Sequence, residues 1–346
     1  MEIWQIFLLV FGAIVLLLVF GYTVVKTIID GIFSRRERPE YIAHLQFKDI
    51  AKECMPEMIS FSSGNNKLQG YLFGKENTRG LVVVVHGLGG GAEGYLPEIL
   101  YFAEQGYRVF AYDNTGYHLS EGKNSVGLPQ AVEDLDSALT FAEGEPRFAE
   151  LPVYLYGHSW GGYAVTAVLN FNHKVTAVAS VSGFGNANKM IKEWARRMVG
   201  KWSVLVNPFL VLHQRLHFGK KLDIMSVDGI NKADIPVFLA HGSKDATVRM
   251  DGSALISCKN EITNQKVQYV LWDKEGQNGH LDILYDVSAN EYSKQVSKEY
   301  ERLMKLTKKK PAKEDKEEFF ANVDKVRSSL CNKELMAKIV EFYEGK

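Results

Sequence analysis

A serine between two glycines is the first feature of this 346-residue sequence that could carry chemistry. Residues 153–162 read VYLYGHSWGG, so an apolar run leads into Gly157, Ser159 and Gly161, and residues compatible with a helix follow. Small glycines let a strand turn sharply into a helix, and a serine on such a turn points its hydroxyl out above the sheet. The pattern predicts that Ser159 is a nucleophile for acyl transfer.

A serine hydroxyl is a weak nucleophile that needs a base, and the base needs an acid to orient it. When the serine lies on a strand-to-helix turn, the acid and then a histidine follow along the chain. An apolar run at 237–240 leads to Asp245, and a second run at 266–271 precedes a loop with His280. Both loops are expected at the carboxyl edge of one sheet, so Asp245 and His280 are the predicted acid and base.

Two other residues compete for these roles. His241 could act as the base, but it precedes the acid, which is the wrong order. Asp282 could act as the acid, but its position just after the histidine is more typical of a surface residue or a helix cap. Neither displaces the predicted set of Ser159, Asp245 and His280.

The negative oxygen that develops during acyl transfer needs N–H donors already in place. The backbone N–H of Trp160, next to the nucleophile, is the first expected donor. The second is expected from the loop HGLGGG at 86–91, where the Leu88 N–H is the candidate. His86 is expected to brace this loop rather than to act as a base. This chemistry requires neither a metal ion nor an organic cofactor.

Strands and helices alternate through most of the chain after the first 56 residues. The strand signals lie at 57–61, 68–73, 81–85, 107–112, 153–156, 175–181, 235–240 and 266–271. Ala131, Leu135 and Ala142 belong to an apolar series at helical spacing, which predicts a helix at about 129–143. The alternation predicts a mostly parallel sheet with helices on both faces.

One stretch, about 184–232, has helical character and no strand signal. Its apolar and aromatic series consists of Met190, Trp194, Met198, Trp202, Leu205, Phe209 and Leu212. An insertion of this length in a compact domain is usually functional, which favours a lid over the active site. Simple packing helices are the alternative.

Taken in order, the motifs resemble those of the α/β-hydrolase superfamily over about residues 57–285. They read HGLG at 86–89, DNTG at 113–116, SEG at 120–122, GHSWG at 157–161, GSKD at 242–245 and NGH at 278–280. The branch that the chain resembles contains monoacylglycerol lipases and serine aminopeptidase-like proteins. The resemblance implies an eight-stranded sheet and a helical cap after the sixth strand. In one departure, His118 stands where the family often has the second glycine of Gly-x-Gly-x-Ser-x-Gly.

Residues 3–25 contain no charged side chain and predict a transmembrane helix. A helix of about 23 residues spans roughly 34 Å, enough to cross a bilayer core. Trp4 and Tyr22 lie near its two ends, where aromatic rings prefer the interface. A cleaved signal peptide would have a basic start and a small-residue cleavage site, and a buried soluble helix is the third alternative.

Positive charge follows this segment and does not precede it, because Lys26, Arg35, Arg36 and Arg38 come after the apolar run. Positive flanks stay on the cytoplasmic side, so a single-pass protein with a cytoplasmic catalytic domain is expected. The alternative is that the basic cluster is only a solvated linker. Three distant cysteines, Cys54, Cys258 and Cys331, fit a reducing compartment and form no metal-binding motif.

The predicted organisation is an anchor at 1–33, a linker at 34–56, an α/β domain at 57–307 and a helical extension at 308–346. Lys308–Pro311 is predicted to separate two helices, and apolar residues between 319 and 326 have helical spacing. Asn332 is a predicted N-cap for a last helix at about 333–344. That helix would be the domain's own closing helix, displaced by an insertion at about 288–330.

The predicted reaction is hydrolysis of a carboxylic ester, with a small or lipid-like acyl group, at a membrane. A peptidase or amidase on the same fold is the main alternative, and a membrane-tethered scaffold without activity is a minor one. Gly89-x-Gly91-x-x-Gly94 with Asp113 also matches a dinucleotide fingerprint, but three residues separate the strand from the first glycine. Equal numbers of acidic and basic residues, 41 each, argue against a nucleic-acid partner. The oligomeric state is not predicted.

Overall fold

The structure, a computed structural model, describes residues 2–306 and 312–346. The predicted break at Lys308–Pro311 lies outside the described residues.

One eight-stranded sheet forms the centre of the domain. Its strands are β1 (Glu57–Ser63), β2 (Asn66–Phe73), β3 (Leu81–Val85), β4 (Arg108–Tyr112), β5 (Val153–His158), β6 (Ala177–Val181), β7 (Val237–Gly242) and β8 (Val267–Trp272). The spatial order is β1-β2-β4-β3-β5-β6-β7-β8. Pairing with β2 is antiparallel on both sides, and the other strand pairs are parallel. The predicted mostly parallel sheet is confirmed.

The described residues form eleven α-helices, and a subset of them covers both faces of the sheet. They are α1 (Ile3–Ile32), α2 (Leu96–Glu104), α3 (Gln130–Gly144), α4 (Trp160–Ala167), α5 (Ala187–Val199), α6 (Ser203–Phe218), α7 (Ser226–Ala233), α8 (Val287–Leu306), α9 (Lys313–Ala321), α10 (Lys325–Ser328) and α11 (Lys333–Tyr343). Helices α5 and α6 form the cap after β6, in the stretch predicted to be an insertion, and α7 leads back to β7 and packs on α4.

Strand β3 shows why a run of valines forms the centre of such a sheet. All five of its residues are buried. Val83 and Val85 pack into a core with α3 and α4, while Val82 and Val84 pack into a second core with α2 and α11. A parallel strand between two helical layers is apolar on both faces, which is what the sequence of β3 provides.

The C-terminal helix α11 closes the second core. The Asn332 side chain accepts a hydrogen bond from the Leu335 N–H (3.2 Å) and caps the helix. At the other end, the Tyr343 hydroxyl donates to the carbonyl of Leu155 in β5 (2.7 Å). The apolar residues predicted to share one helix between 319 and 326 are instead divided between α9 and α10, and Val323 lies between these two helices.

Helix α1 is long and apolar enough to cross a membrane. It continues to Ile32, beyond the predicted apolar run, because Val25 and Ile29 are buried against the domain. Its last part also packs against the cap: a side chain on Gly21 would lie 3.0 Å from the Phe209 ring of α6. The cap and the N-terminal helix are therefore direct neighbours.

The segment 34–56, predicted as a linker, lies against the domain. Arg36 forms a β-bridge with Tyr117. The Arg35 guanidinium donates to the carbonyl of His118 (2.6 Å), and Arg38 forms an ion pair with buried Glu93. Since these arginines bind protein groups, the segment is anchored rather than freely solvated.

Candidate active site

Ser159 lies on a strained turn between β5 and α4. Its φ of +56° is in the left-handed region, which non-glycine residues rarely adopt. Close packing explains the two flanking glycines: a Cβ on Gly157 would lie 2.3 Å from the Gly161 carbonyl oxygen, and one on Gly161 would lie 2.0 Å from the Val85 carbonyl oxygen. The turn therefore holds the serine at the carboxyl edge of the sheet, as the motif predicts.

The structure brings the three predicted side chains together. His280, in the loop after β8, has its Nε2 2.9 Å from the Ser159 Oγ. Its Nδ1 is 2.7 Å from the Oδ2 of Asp245, in the loop after β7. This is the distance range for moving a proton from the hydroxyl to the imidazole while a carboxylate orients the ring. The catalytic roles themselves stay a prediction.

Asp245 is held in place as a buried carboxylate. Its Oδ1 accepts hydrogen bonds from the backbone N–H groups of Thr247 and Val248, both at 2.8 Å. Burial raises its pKa, but the hydrogen bond and charge of His280 outweigh this effect, and the pKa lies below its usual value. A charged Asp245 accepts from His280 Nδ1–H, which leaves Nε2 free to accept the serine proton.

The two rival residues do not take part in this arrangement. His241 Nε2 donates to the Val248 carbonyl (2.8 Å) and lies 3.4 Å from Asp245, so it braces the loop that carries the acid. Burial lowers the pKa of His241 and keeps the ring neutral. Asp282 lies at the surface, 3.6 Å from Lys294.

A second buried series of hydrogen bonds, not predicted from the sequence, supports the loop of His280. The His158 Nε2 lies 2.9 Å from the His280 carbonyl oxygen, so it must carry a proton and donate. Its Nδ1 then accepts from the Tyr95 hydroxyl (2.8 Å), which itself accepts from the Gly87 N–H (2.9 Å). Burial lowers the pKa of His158 to about 3, which keeps this neutral tautomer. The series joins the 86–91 loop to the base.

The 86–91 loop presents the predicted oxyanion donor. The Gly89 N–H donates to the Tyr117 hydroxyl (3.0 Å), so the loop is fixed on both sides of Leu88. Among the described residues, nothing accepts a hydrogen bond from the Leu88 N–H. Trp160 is the first residue of α4, so its N–H is one of those that a helix leaves without an intrahelical acceptor. Both predicted donors are therefore available to a ligand.

His86 braces this loop, as predicted. Its Nδ1 lies 2.8 Å from the Gly87 carbonyl oxygen, and its Nε2 accepts from the Asn114 N–H (3.0 Å). Burial lowers the pKa of His86 to about 3. A neutral, fully hydrogen-bonded ring supports the loop and is not placed to act as a base.

His118 replaces a glycine at a position whose backbone favours glycine, with φ of +41°. Its ring fills the space beside Gly91, where a Cβ would lie 2.2 Å from it. Nearby, the buried Asp113 accepts from the Ala92 N–H (2.9 Å) and the Tyr71 hydroxyl (2.8 Å). The space and the acidic group that a dinucleotide would need are taken by protein groups, which argues against that alternative.

Within residues 2–306 and 312–346, no cluster of three or more His, Cys, Asp or Glu side chains could hold a metal ion.

Part of the sequence matches a known protein family. The sequence model of the family described as "Serine aminopeptidase, S33" matches residues 76–227. This range includes Leu88, Ser159 and Trp160 and ends before Asp245 and His280. A polyketide transferase of Aspergillus fumigatus is 31% identical over 129 residues, which cover 36% of this chain and 44% of that protein. The chain spans less than half the length of the curated relatives it matches.

Solved structures show the same fold at low sequence identity. An esterase of Pyrococcus furiosus superposes with a TM-score of 0.55 and 16% identity, covering 78% of this chain and 98% of that one. The α/β hydrolase GrgF from Penicillium superposes with a TM-score of 0.50 and 17% identity, covering 66% of this chain and 91% of that one. The overall fold of this chain is therefore shared with an esterase and an α/β hydrolase of known structure.

Proposed function

We propose that this chain, which has the fold of α/β hydrolases, is a membrane-anchored serine hydrolase that cleaves a carboxylic ester. The observation that carries the proposal is the hydrogen-bonded series from the Ser159 hydroxyl through His280 to Asp245. Ser159 lies on a turn whose strained backbone conformation is held by close packing around it, as expected of a preorganised nucleophile.

In the proposed reaction, His280 Nε2 takes the proton of Ser159 as the Oγ attacks the ester carbonyl carbon. The N–H groups of Leu88 and Trp160 stabilise the negative oxygen, and Asp245 stabilises the imidazolium. The imidazolium then gives its proton to the leaving alkoxide, and the acyl group stays on Ser159. Water then attacks the acyl-enzyme carbonyl while His280 takes its proton, and His280 gives this proton to the Ser159 Oγ as the carboxylic acid leaves. No step needs a metal ion or a cofactor.

The membrane part of the proposal rests on α1. The helix is apolar over most of its length, and basic residues follow it without preceding it, which favours a cytoplasmic catalytic domain. We expect the full chain to stay in the membrane fraction during alkaline carbonate extraction. A protease site inserted before α1 should be cleaved only from the side of the membrane opposite the catalytic domain. Extraction into the soluble fraction would contradict the anchor without affecting the hydrolase proposal.

A small or lipid-like acyl group is the proposed substrate class, because the anchor and the apolar cap place the site near lipid. Two comparisons favour alternatives on the same site. The serine aminopeptidase family match favours peptide or amide cleavage, and the polyketide transferase relatives favour transfer of the acyl group to an acceptor other than water.

A substrate series decides among these reactions. The full chain in lipid nanodiscs is assayed on p-nitrophenyl esters, monoacylglycerols of increasing acyl length and aminoacyl arylamides, with and without a competing alcohol. We expect ester hydrolysis that falls by ~10⁴-fold or more in Ser159→Ala and is unchanged in Ser297→Ala, an exposed serine on α8. Preference for arylamides, or dominant transfer to the alcohol, would replace the hydrolysis proposal with the corresponding alternative.

A further inference from the structure

Helix α6 of the cap leaves large apolar side chains exposed, although it buries polar ones beside Leu210 and Phe218. Its polar His213 and Gln214 are buried, at 0% and 1% exposure, while Leu205 and Leu216 are 63% and 66% exposed. Gln214 fills the space beside Gly127 and donates to the Val126 carbonyl (3.1 Å). These two polar side chains therefore face the domain, although His213 Nε2 and Gln214 Oε1 have no hydrogen-bond partner among the described residues, and the two leucines face outward.

The outward residues form one continuous surface. Trp202, Leu205, Leu212 and Leu216, here named the cap stripe, follow one another at intervals of three, seven and four residues, which places them on one side of the helix. Met198 and Val204 add further exposed apolar area beside the stripe. Contiguous apolar surface of this kind marks a site of interaction with a protein or a membrane.

The charges around the cap stripe favour an anionic partner. Residues 184–232 contain nine Lys and Arg against three Asp and Glu, a net charge of +6, although the whole chain is neutral. Lys201 lies 5.7 Å from the centre of the Trp202 ring, so a basic group borders the apolar stripe directly. An apolar face that contains tryptophan and is flanked by lysine and arginine is typical of helices that lie in a membrane interface.

Helix α6 packs on α1, the helix that is proposed to cross the membrane. Phe209 contacts the helix at Gly21, and the His213 ring lies 6.2 Å from the ring of Tyr22. His213 Nε2 also lies 3.9 Å from Asp30, near the end of α1. The cap helix is thus in contact with α1 where the apolar run ends, and a bilayer crossed by α1 would have its interface at that level.

We propose that the cap stripe inserts into the interface of the same bilayer that α1 crosses, with the neighbouring basic residues on anionic lipid headgroups. The proposal rests on the membrane anchoring proposed above. The cap would then be a second membrane contact. It would orient toward lipid the edge of the sheet that carries Ser159, Asp245 and His280, here named the catalytic edge, so that a lipid-like ester reaches Ser159 without crossing bulk water.

The test uses the full chain in nanodiscs with one copy per disc. Cys54 and Cys258 are replaced by serine, while buried Cys331 is kept. An environment-sensitive fluorophore is attached in Leu205→Cys and Leu216→Cys, with the exposed Glu299→Cys on α8 as the matched control. Discs contain phosphatidylcholine with or without phosphatidylserine, and a nitroxide-labelled lipid serves as quencher.

We expect blue-shifted emission and lipid quenching at positions 205 and 216, and neither change at 299. Water-like emission at both cap positions would overturn the proposal. A blue shift that appears only with two copies per disc, without lipid quenching, would also overturn it and assign the stripe to a second copy of this chain. In the unlabelled chain, quenching by brominated lipid should fall in Trp202→Phe, which checks the result without cysteine replacement.

The charge contribution is tested separately. The double variant Lys201→Glu, Lys220→Glu should reduce quenching at position 205 by several-fold in discs with phosphatidylserine and much less in discs without it. Lys298→Glu on α8 is the control. Equal quenching in the double variant and the control would contradict the role of the basic residues. None of these measurements depends on turnover. The membrane contact of the cap can therefore be refuted while ester hydrolysis is confirmed, and ester hydrolysis can be refuted while the membrane contact is confirmed.

Discussion

The catalytic edge of the sheet and the outer surface of the cap are built in opposite ways. At the edge, polar groups are buried and paired: Asp245 accepts from two backbone N–H groups and from His280. At the cap stripe, apolar side chains such as Leu216 are left exposed. The groups of the proposed reaction are held in place within the chain, whereas the cap stripe is proposed to be covered by lipid. Substitutions at the edge should therefore affect every substrate, and substitutions at the stripe only those in a bilayer.

Removing the predicted base has the largest expected effect and distinguishes the catalytic edge from the cap stripe most clearly. His280→Ala removes the base, so kcat/KM should fall by ~10⁴-fold or more for a water-soluble ester and for a bilayer ester alike. His173→Gln, whose ring pairs with Asp136 and Glu143 away from the site, should leave both values unchanged. Loss of activity toward only one of the two esters would contradict a shared catalytic edge.

Glu98, on α2 beneath the catalytic edge, is an exception to the rule of paired polar groups. Among the described residues, no other residue donates a hydrogen bond to either of its carboxylate oxygens, and burial raises its pKa to about 8. The folded chain holds this proton between about pH 4.5 and 8 and the unfolded chain does not. Stability should therefore fall by a few kcal/mol as the pH rises through that window.

Unfolding of the full chain by denaturant between pH 5 and 9 measures this loss. Glu98→Gln should flatten the pH profile and be more stable than the wild type at pH 8. Glu104→Gln, an exposed residue on the same helix, should follow the wild type. A Glu98→Gln variant that loses stability with pH as steeply as the wild type would show that another group is responsible.

Tyr95→Phe tests the buried series that joins the 86–91 loop to the His280 loop. It leaves the Gly87 N–H and His158 Nδ1 unpaired, a loss of about 1–3 kcal/mol. Because both loops act in the transition state, kcat should fall ~10-fold or more with little change in KM. The control is Tyr101→Phe, on α2, the helix that begins directly after Tyr95. A fall in thermal stability with kcat unchanged would limit Tyr95 to a structural role.

The smallest expected effect belongs to the cap stripe. Leu216→Ser should lower turnover of a long-chain ester in nanodiscs by several-fold and leave p-nitrophenyl acetate turnover unchanged. Val326→Ser, which alters an exposed apolar residue away from the cap, should change neither. Equal effects on both substrates would indicate that Leu216 acts on the catalytic edge, and the contrast between the two regions would be lost.

The local pattern and the chain order together predict that Ser159, Asp245 and His280 meet at one edge of the sheet, and the structure places them there. Their catalytic roles stay a prediction. A run of valines such as β3, buried on both faces, is typical of a central strand and of few other structures. The Gly157-x-Ser159-x-Gly161 pattern fits a tight turn between a strand and a helix. The sequence does not predict the bond from Tyr95 to His158, because no motif relates these two positions, which lie 63 residues apart. Helix α2 was also not assigned, although Pro97 in its first turn is a helix-start signal.

The cap shows the limit of periodicity more directly. Met190 and Met198 belong to one apolar series in the sequence, yet Met190 is fully buried and Met198 is exposed. Periodicity identifies residues that share a face of a helix, but it does not say what covers that face. The same limit applies to segment 34–56: its composition is that of a linker, and only the structure shows Arg38 paired with buried Glu93.

Covalent labelling is the most direct test of the central claim that Ser159 is a nucleophile activated by His280. The full chain in nanodiscs is treated with a fluorophosphonate, digested and analysed by mass spectrometry. The account predicts the phosphonate on the peptide that contains Ser159, and labelling at least a hundredfold slower in His280→Ala. Modification of a different serine, or unchanged labelling in Ser159→Ala, would contradict it.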